Sequence, residues 1–172
     1  MSESSNAVFL RFSADKLDQL AGRIVDCLGR LDYDGIWARG QETENAVGNL
    51  VLHLCGNMRQ WIVSGIGGKP DIRVRDREFS ARGEVQGKEL RERLVATVGE
   101  ATRILRELAP ERLTDRVTVQ KYDVTVMEAI YHVVEHFAEH TGQILFATKQ
   151  LTGSDLGYYK HLQQAAHTEK TP

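Results

Sequence analysis

Apolar positions recur every three or four residues along four long stretches of the chain, which is the period of an amphipathic helix. The first stretch, Phe9 to Leu31, sets Leu10, Leu17, Leu20, Ile24, Leu28 and Leu31 on one face, and Gly29 with the run Asp32–Gly35 supplies its stop. A second helix is expected to start near Thr43 or Asn45, since either side chain can cap free amides. It runs through Val47, Leu50, Val51, Leu54, Met58 and Trp61 and ends at Gly65-Ile-Gly-Gly68. A third covers about Lys88 to Leu108, bounded by Gly87 and Pro110. The fourth opens on Thr125-Val-Met-Glu128, the spacing of a capping box, and continues through Ile130, Val133, Val134, Phe137, Ile144 and Leu145 to about Leu151.

Other segments fill in the frame. Arg116 to Thr125 alternates and is β-prone, so a small strand pair is conceivable there. A short fifth helix is expected around Asp155 to Ala166, with the last six residues fraying. Gly67 to Gly87 makes a long connection of alternating charge, and such loops in compact domains are functional, crossovers, or both. Its plainest reading is a solvated strap that lets the third helix run parallel to the second. The pattern predicts an all-α domain over residues 1–172: a four-helix bundle with a long connection between helices 2 and 3 and a short C-terminal helix.

Composition narrows the function. The chain has 172 residues, 41% hydrophobic and 27% charged, which suits one soluble globular domain. A net charge of −2 gives no basic field for a phosphate backbone, so no nucleic-acid partner is expected. Apolar runs are far too short to span a membrane, and residues 1–6 lack the basic and apolar regions of a secretory leader. Cys27 and Cys55 read as free thiols in a reducing cytoplasm.

Histidine carries the chemistry. Of six, His132, His136 and His140 fall at four-residue spacing on the fourth helix, stacked one above another beside Val133, Phe137 and Ile144. Two imidazoles so placed can share one transition metal. His53, polar within the strongly apolar second helix, is the candidate third ligand, because an unpartnered buried imidazole would be costly. Cys55 lies about 200° round the helix from His53 and faces away, whereas Asn49 and Asn57 share its face and could fix an imidazole tautomer or meet substrate. Spacing alone leaves the pair 132/136 or 136/140 open. The same residues spell H-x-x-E-H twice, at His132–His136 and His136–His140, the inverted zinc-peptidase signature, but the histidine ladder generates that pattern by itself. His161 and His167 lie in a polar tail.

The segments Gly48-Asn-Leu-Val-Leu-His53-Leu-Cys-Gly-Asn57 and His136-Phe-Ala-Glu-His140-Thr-Gly-Gln-Ile144 resemble the DinB/YfiT superfamily. The Ile36-Trp37 turn and the Arg-Asp-Arg-Glu-Phe79 run are similar to one branch of it. The resemblance implies a four-helix bundle holding a divalent metal on His53, His136 and His140, which leaves His132 as a supporting or core residue; Asn49, Asn57 and Gln143 are the further candidates for supporting positions, and imidazole ligands suit zinc or nickel. It also implies a homodimer acting on a small molecule, in a family that includes transferases and isomerases using low-molecular-weight thiols such as bacillithiol or mycothiol. The expected function is a cytoplasmic, thiol-dependent S-transferase. A metal-dependent hydrolase, or a non-catalytic bundle cross-linked by its metal, is the alternative. Arg73, Arg75 and Arg77 are candidates to hold a thiol cofactor's carboxylate if the long connection folds over the site.

Overall fold

The computed structural model describes residues 3–163, 166, 168 and 171. Four long helices, α1 (Ser5–Arg30), α3 (Val47–Met58), α5 (Gly87–Glu107) and α6 (Val126–Thr152), form the bundle, and short helices α2 (Tyr33–Trp37) and α4 (Arg75–Ser80) lie in its connections. α1 packs along α5 and α6, and α3 packs against the same two helices. Their apolar stripes meet in one core that buries Leu17, Ile24, Leu54, Leu94, Ile130 and Phe137. No helix among the described residues is long and apolar enough to cross a membrane.

Local chemistry moves several expected boundaries. α1 starts before its apolar pattern does, because the Ser4 hydroxyl accepts from the Ala7 N–H at 3.2 Å. It ends at Arg30, and the expected stop at Asp32–Gly35 is itself a helix: Asp32 accepts from the Gly35 N–H at 2.8 Å and caps α2. Neither Thr43 nor Asn45 caps α3. Ala46 holds the cap position, and Asn49 Oδ1 reaches back to its N–H at 3.1 Å. Past Met58 the backbone widens into a π-helical turn over Arg59–Ser64, closed by the Gly65 N–H on Gln60 O at 3.0 Å. The predicted capping box does open α6: Thr125 Oγ1 accepts from the Glu128 N–H at 3.2 Å, and Glu128 Oε2 accepts from the Thr125 N–H at 2.7 Å.

The strand pair forms as β1 (Arg116–Val119) and β2 (Tyr122–Thr125), antiparallel with Val119 opposite Tyr122, and delivers the chain into α6. Gln120 and Lys121 turn the hairpin with φ of 50° and 68°. The long connection is an ordered arm, not a solvated strap. Asn49 Nδ2 donates to the Glu78 and Ala81 carbonyls, Trp37 Nε1 to Val85 O, and the Tyr33 hydroxyl to Gly83 O. The expected C-terminal helix is reduced to a 3₁₀ turn at Lys160–Gln163, and its residues 164 and 165 lie outside the described set. Of the six terminal residues expected to fray, only 168 and 171 are described; Thr171 is buried and its carbonyl accepts from Gln19 Nε2 at 2.8 Å. His167 also lies outside the described residues.

The α6 cap has a direct test. Thr125→Ala should lower stability by about 1 kcal/mol, seen in urea denaturation as a lower midpoint with an unchanged slope.

Candidate metal centre

α3 and α6 lie side by side in the bundle, and this brings the histidines of two distant segments together. His53, midway along α3, faces His136 and His140, one turn apart on α6. One ring nitrogen from each of the three falls within 4.8 Å of the others. The His53 ring stands nearly perpendicular to both partners, 4.9 Å from His136 and 5.1 Å from His140 between centroids. His53 is buried and the other two are half-buried, so the trio has a closed side toward α3 and an open side toward solvent. Phe79, 4.6 Å from the His53 ring, covers part of it, and the Arg75 guanidinium lies over Phe79 at 4.7 Å.

Hydrogen bonds orient two of the three imidazoles. His53 Nδ1 lies 2.9 Å from Glu78 Oε2. An ionised carboxylate only accepts, so the ring proton sits on Nδ1 and the Nε2 lone pair is turned toward α6. Arg73 holds Glu78 with a two-pronged grip, Nε to Oε1 and Nη2 to Oε2, both at 2.8 Å. Arg73 Nη2 also lies 3.1 Å from His53 Nδ1, but both are donors and converge on the shared carboxylate oxygen. Gln143 Oε1, 2.8 Å from His140 Nδ1, orients the second ring in the same sense. His136 Nε2 sits 2.9 Å from His53 Nε2, so of this pair His136 donates and His53 accepts. For both to offer lone pairs to a cation, the His136 proton must move to Nδ1.

Gly56 makes the grip on His53 possible. A Cβ there would lie 1.9 Å from Glu78 Oε1 and 2.9 Å from Arg73 Nε, so only glycine lets the arm lie this close to α3.

The electrostatics keep the cluster ready to ligate. Burial, and then the neighbouring His140, His53, His132 and Arg73, hold the His136 imidazole far down, at about 3, so it stays neutral at physiological pH. Burial alone would raise the Glu78 carboxyl, but hydrogen bonds from Arg73 and His53 and their charges outweigh it and hold it below the usual carboxylate range. Burial pushes the Cys55 thiol up to about 12, so it stays protonated and unreactive. Three imidazoles, with no thiolate or carboxylate among them, are a donor set that fits a borderline divalent ion such as zinc or nickel.

The remaining candidates fall in different places. His132 is one turn before His136, its ring 4.4 Å from Trp61 and 5.6 Å from His136, outside the trio; burial lowers its pKa. Asn49 makes no hydrogen bond to an imidazole among the described residues; it bonds Arg39, Ala46 and the arm's carbonyls, and so holds the arm that carries Glu78. Asn57 is buried on the same face, and its side chain has no hydrogen-bond partner among the described residues. Arg73, with its side chain 4% exposed, spends Nε and Nη2 on Glu78 and Nη1 on Gln60, so it is turned inward rather than toward a cofactor carboxylate, and Arg77 lines a separate cleft. Glu78 and Gly56 were not singled out by sequence reasoning. The available signal was an acid in the one long connection of a chain whose buried His53 needs an acceptor for Nδ1.

A family model described as "Protein of unknown function (DUF1572)" matches residues 4–163. The crystal structure of a conserved protein from Enterococcus faecalis superposes with a TM-score of 0.71 at 14% identity, covering 83% of this chain and 96% of that one. That of a DinB-like protein from Bacillus cereus gives 0.62 at 14% identity, covering 77% and 85%. The DinB-like helical fold is thus the fold of this chain. No curated protein matches it.

Two measurements follow from the hydrogen bonding and the charge states. Long-range ¹H–¹⁵N spectra should show His53 protonated at Nδ1, and Glu78→Ala should convert it to a tautomeric mixture. His136 stays neutral when folded down to about pH 3, while an unfolded imidazole protonates near 6.5, so the unfolded chain binds more protons in between. Stability should therefore fall as pH drops through that window, and His136→Gln should lose less on going from pH 7 to pH 4 in urea titrations.

Proposed function

The chain belongs to the DUF1572 family, and on that premise we propose that it is a divalent-metal-dependent enzyme transferring a low-molecular-weight thiol to a small electrophile. The observation that carries the reading is the convergence of three imidazoles, and of no fourth protein ligand among the described residues, with hydrogen bonds orienting two of the rings. A structural site is normally closed by four protein ligands, whereas three leave room for a reactant. His53, His136 and His140 would hold the ion. When bound, it would supply a positive charge that makes a thiol or a water acidic enough to react near neutral pH.

The chain's own side chains prepare that chemistry. Glu78 keeps the proton of His53 on Nδ1, and Arg73 keeps Glu78 ionised and in place. Gln143 does for His140 what Glu78 does for His53. Phe79 limits access from the arm side, leaving the half-buried edge of His136 and His140 as the approach for substrate. The thiol must come from outside: Cys27 is fully buried in the core, and Cys55 is buried with its thiol locked in the protonated form. A cytoplasmic homodimer working on a small molecule completes the reading. Water in place of thiol gives the hydrolase alternative at the same three ligands.

Metal content tests the reading directly. The purified protein should carry close to one zinc or nickel per chain by elemental analysis, and His53→Ala and His136→Ala should carry none. Glu78→Ala should keep the site with an affinity about 10–100-fold weaker in chelator competition. With bacillithiol or mycothiol and a panel of electrophiles, thiol consumption should require the metal. Ester cleavage without thiol would instead favour the hydrolase. A wild-type protein that stays metal-free after reconstitution would sink both.

A further inference from the structure

A cleft of about 700 Å³ opens on another face of α3, between that helix, α5 and residues 77–85 of the arm. It shares only the Glu78–Gly56 wall with the side of α3 where the histidines meet. Its volume lies in the range of small-molecule sites. Leu52, Ala81 and Val85 give it apolar lining, and the buried Cys55 adds to that surface.

Its charge is unbalanced. Three guanidiniums, from Arg59, Arg77 and Arg93, line the cleft against the carboxylates of Glu78 and Glu84. Glu78 is fully occupied by Arg73 and His53, and Glu84 turns back to accept the Arg82 N–H at 2.7 Å. Arg59 is paired with Glu100 and Arg93 with Glu89, both at partly exposed positions where such pairs exchange readily with solvent. Arg77 has no ion-pair or side-chain hydrogen-bond partner among the described residues. An apolar hollow with an unspent guanidinium and two weakly committed ones matches a ligand with an oxyanion head and an apolar body.

We propose that this cleft is a second binding site, for a small organic anion whose carboxylate, phosphate or sulfonate head is met by Arg77, with Arg59 and Arg93 beside it. The body of the ligand lies on Leu52, Ala81 and Val85, and nothing in the assignment depends on a metal at the histidines.

The probe is 8-anilinonaphthalene-1-sulfonate, an aromatic body with one anionic head, followed by fluorescence on the protein as purified. Saturable binding should be displaced by decanoate and by decyl phosphate but not by decanol. Arg77→Ala should weaken it about tenfold, the scale of one charge-assisted hydrogen bond. Ala96→Trp, which fills the cleft from α5, should abolish it while leaving the helical circular dichroism and thermal midpoint in place. Displacement by decanol as effective as by decanoate would overturn the anionic assignment. Binding unchanged in Ala96→Trp would place the probe elsewhere and overturn the site.

Discussion

A carboxylate taken out of water is tolerated only when donors surround it, and Glu78 meets that condition from two sides. Arg73 reaches it from the same arm and His53 from α3, while Gly56 leaves the space in which the three can meet. Removing any one member would strand another: without Arg73 the buried carboxylate loses its counter-charge, and without Glu78 the Arg73 Nε and the His53 N–H lose their acceptor. The cluster therefore joins two tasks. It fastens the arm between α3 and α5 to the bundle, and it fixes which nitrogen of His53 faces α6.

The other half of the centre is set by plain helix geometry. α6 is uninterrupted from its capping box at Thr125 to the left-handed Gly153, so His136 and His140 are held one turn apart by backbone hydrogen bonds rather than by a loop. Phe137, fully buried between them, anchors that stretch in the core. A site built on two packed helices keeps its spacing to within the tolerance of the core itself. The widened turn after Met58 brings Trp61 against His132, which ties the first rung of the histidine ladder to packing and leaves the two lower rungs for α3.

These two halves differ in how far they could be read from the chain. The helices were legible because each buries one stripe, and the stripe is written at period 3.6; the ladder His132, His136 and His140 was legible for the same reason, while the choice of the last two came from the family resemblance and not from spacing. Thr125 and Glu128 were legible because a capping box is a contact over three residues. What escaped depends on contacts over longer spans: Glu78 is 25 residues from His53, and Asn49 reaches 29 residues forward to the Glu78 carbonyl. No local pattern marks such pairs. Arg73 is instructive, since its charge suggested a ligand contact while its burial commits it to an internal one. Asn49 and Asn57 were placed on the face of His53 by spacing, yet the Asn49 amide is taken up by the Glu78 and Ala81 carbonyls of the arm and by Arg39 and the Ala46 N–H.

The likeness to solved structures bears on only part of this. At 14% identity over about four-fifths of the chain, what is shared is the packing of helices, and one fold can carry many chemistries. In this chain the distinctive chemistry gathers on the arm between residues 67 and 87. One side of the arm turns Glu78 toward His53 and lays Phe79 beside the ring, and the other presents Arg77 to the arginine-lined cleft. The bundle supplies the three imidazoles, and the arm fixes the proton of one of them and covers part of its ring.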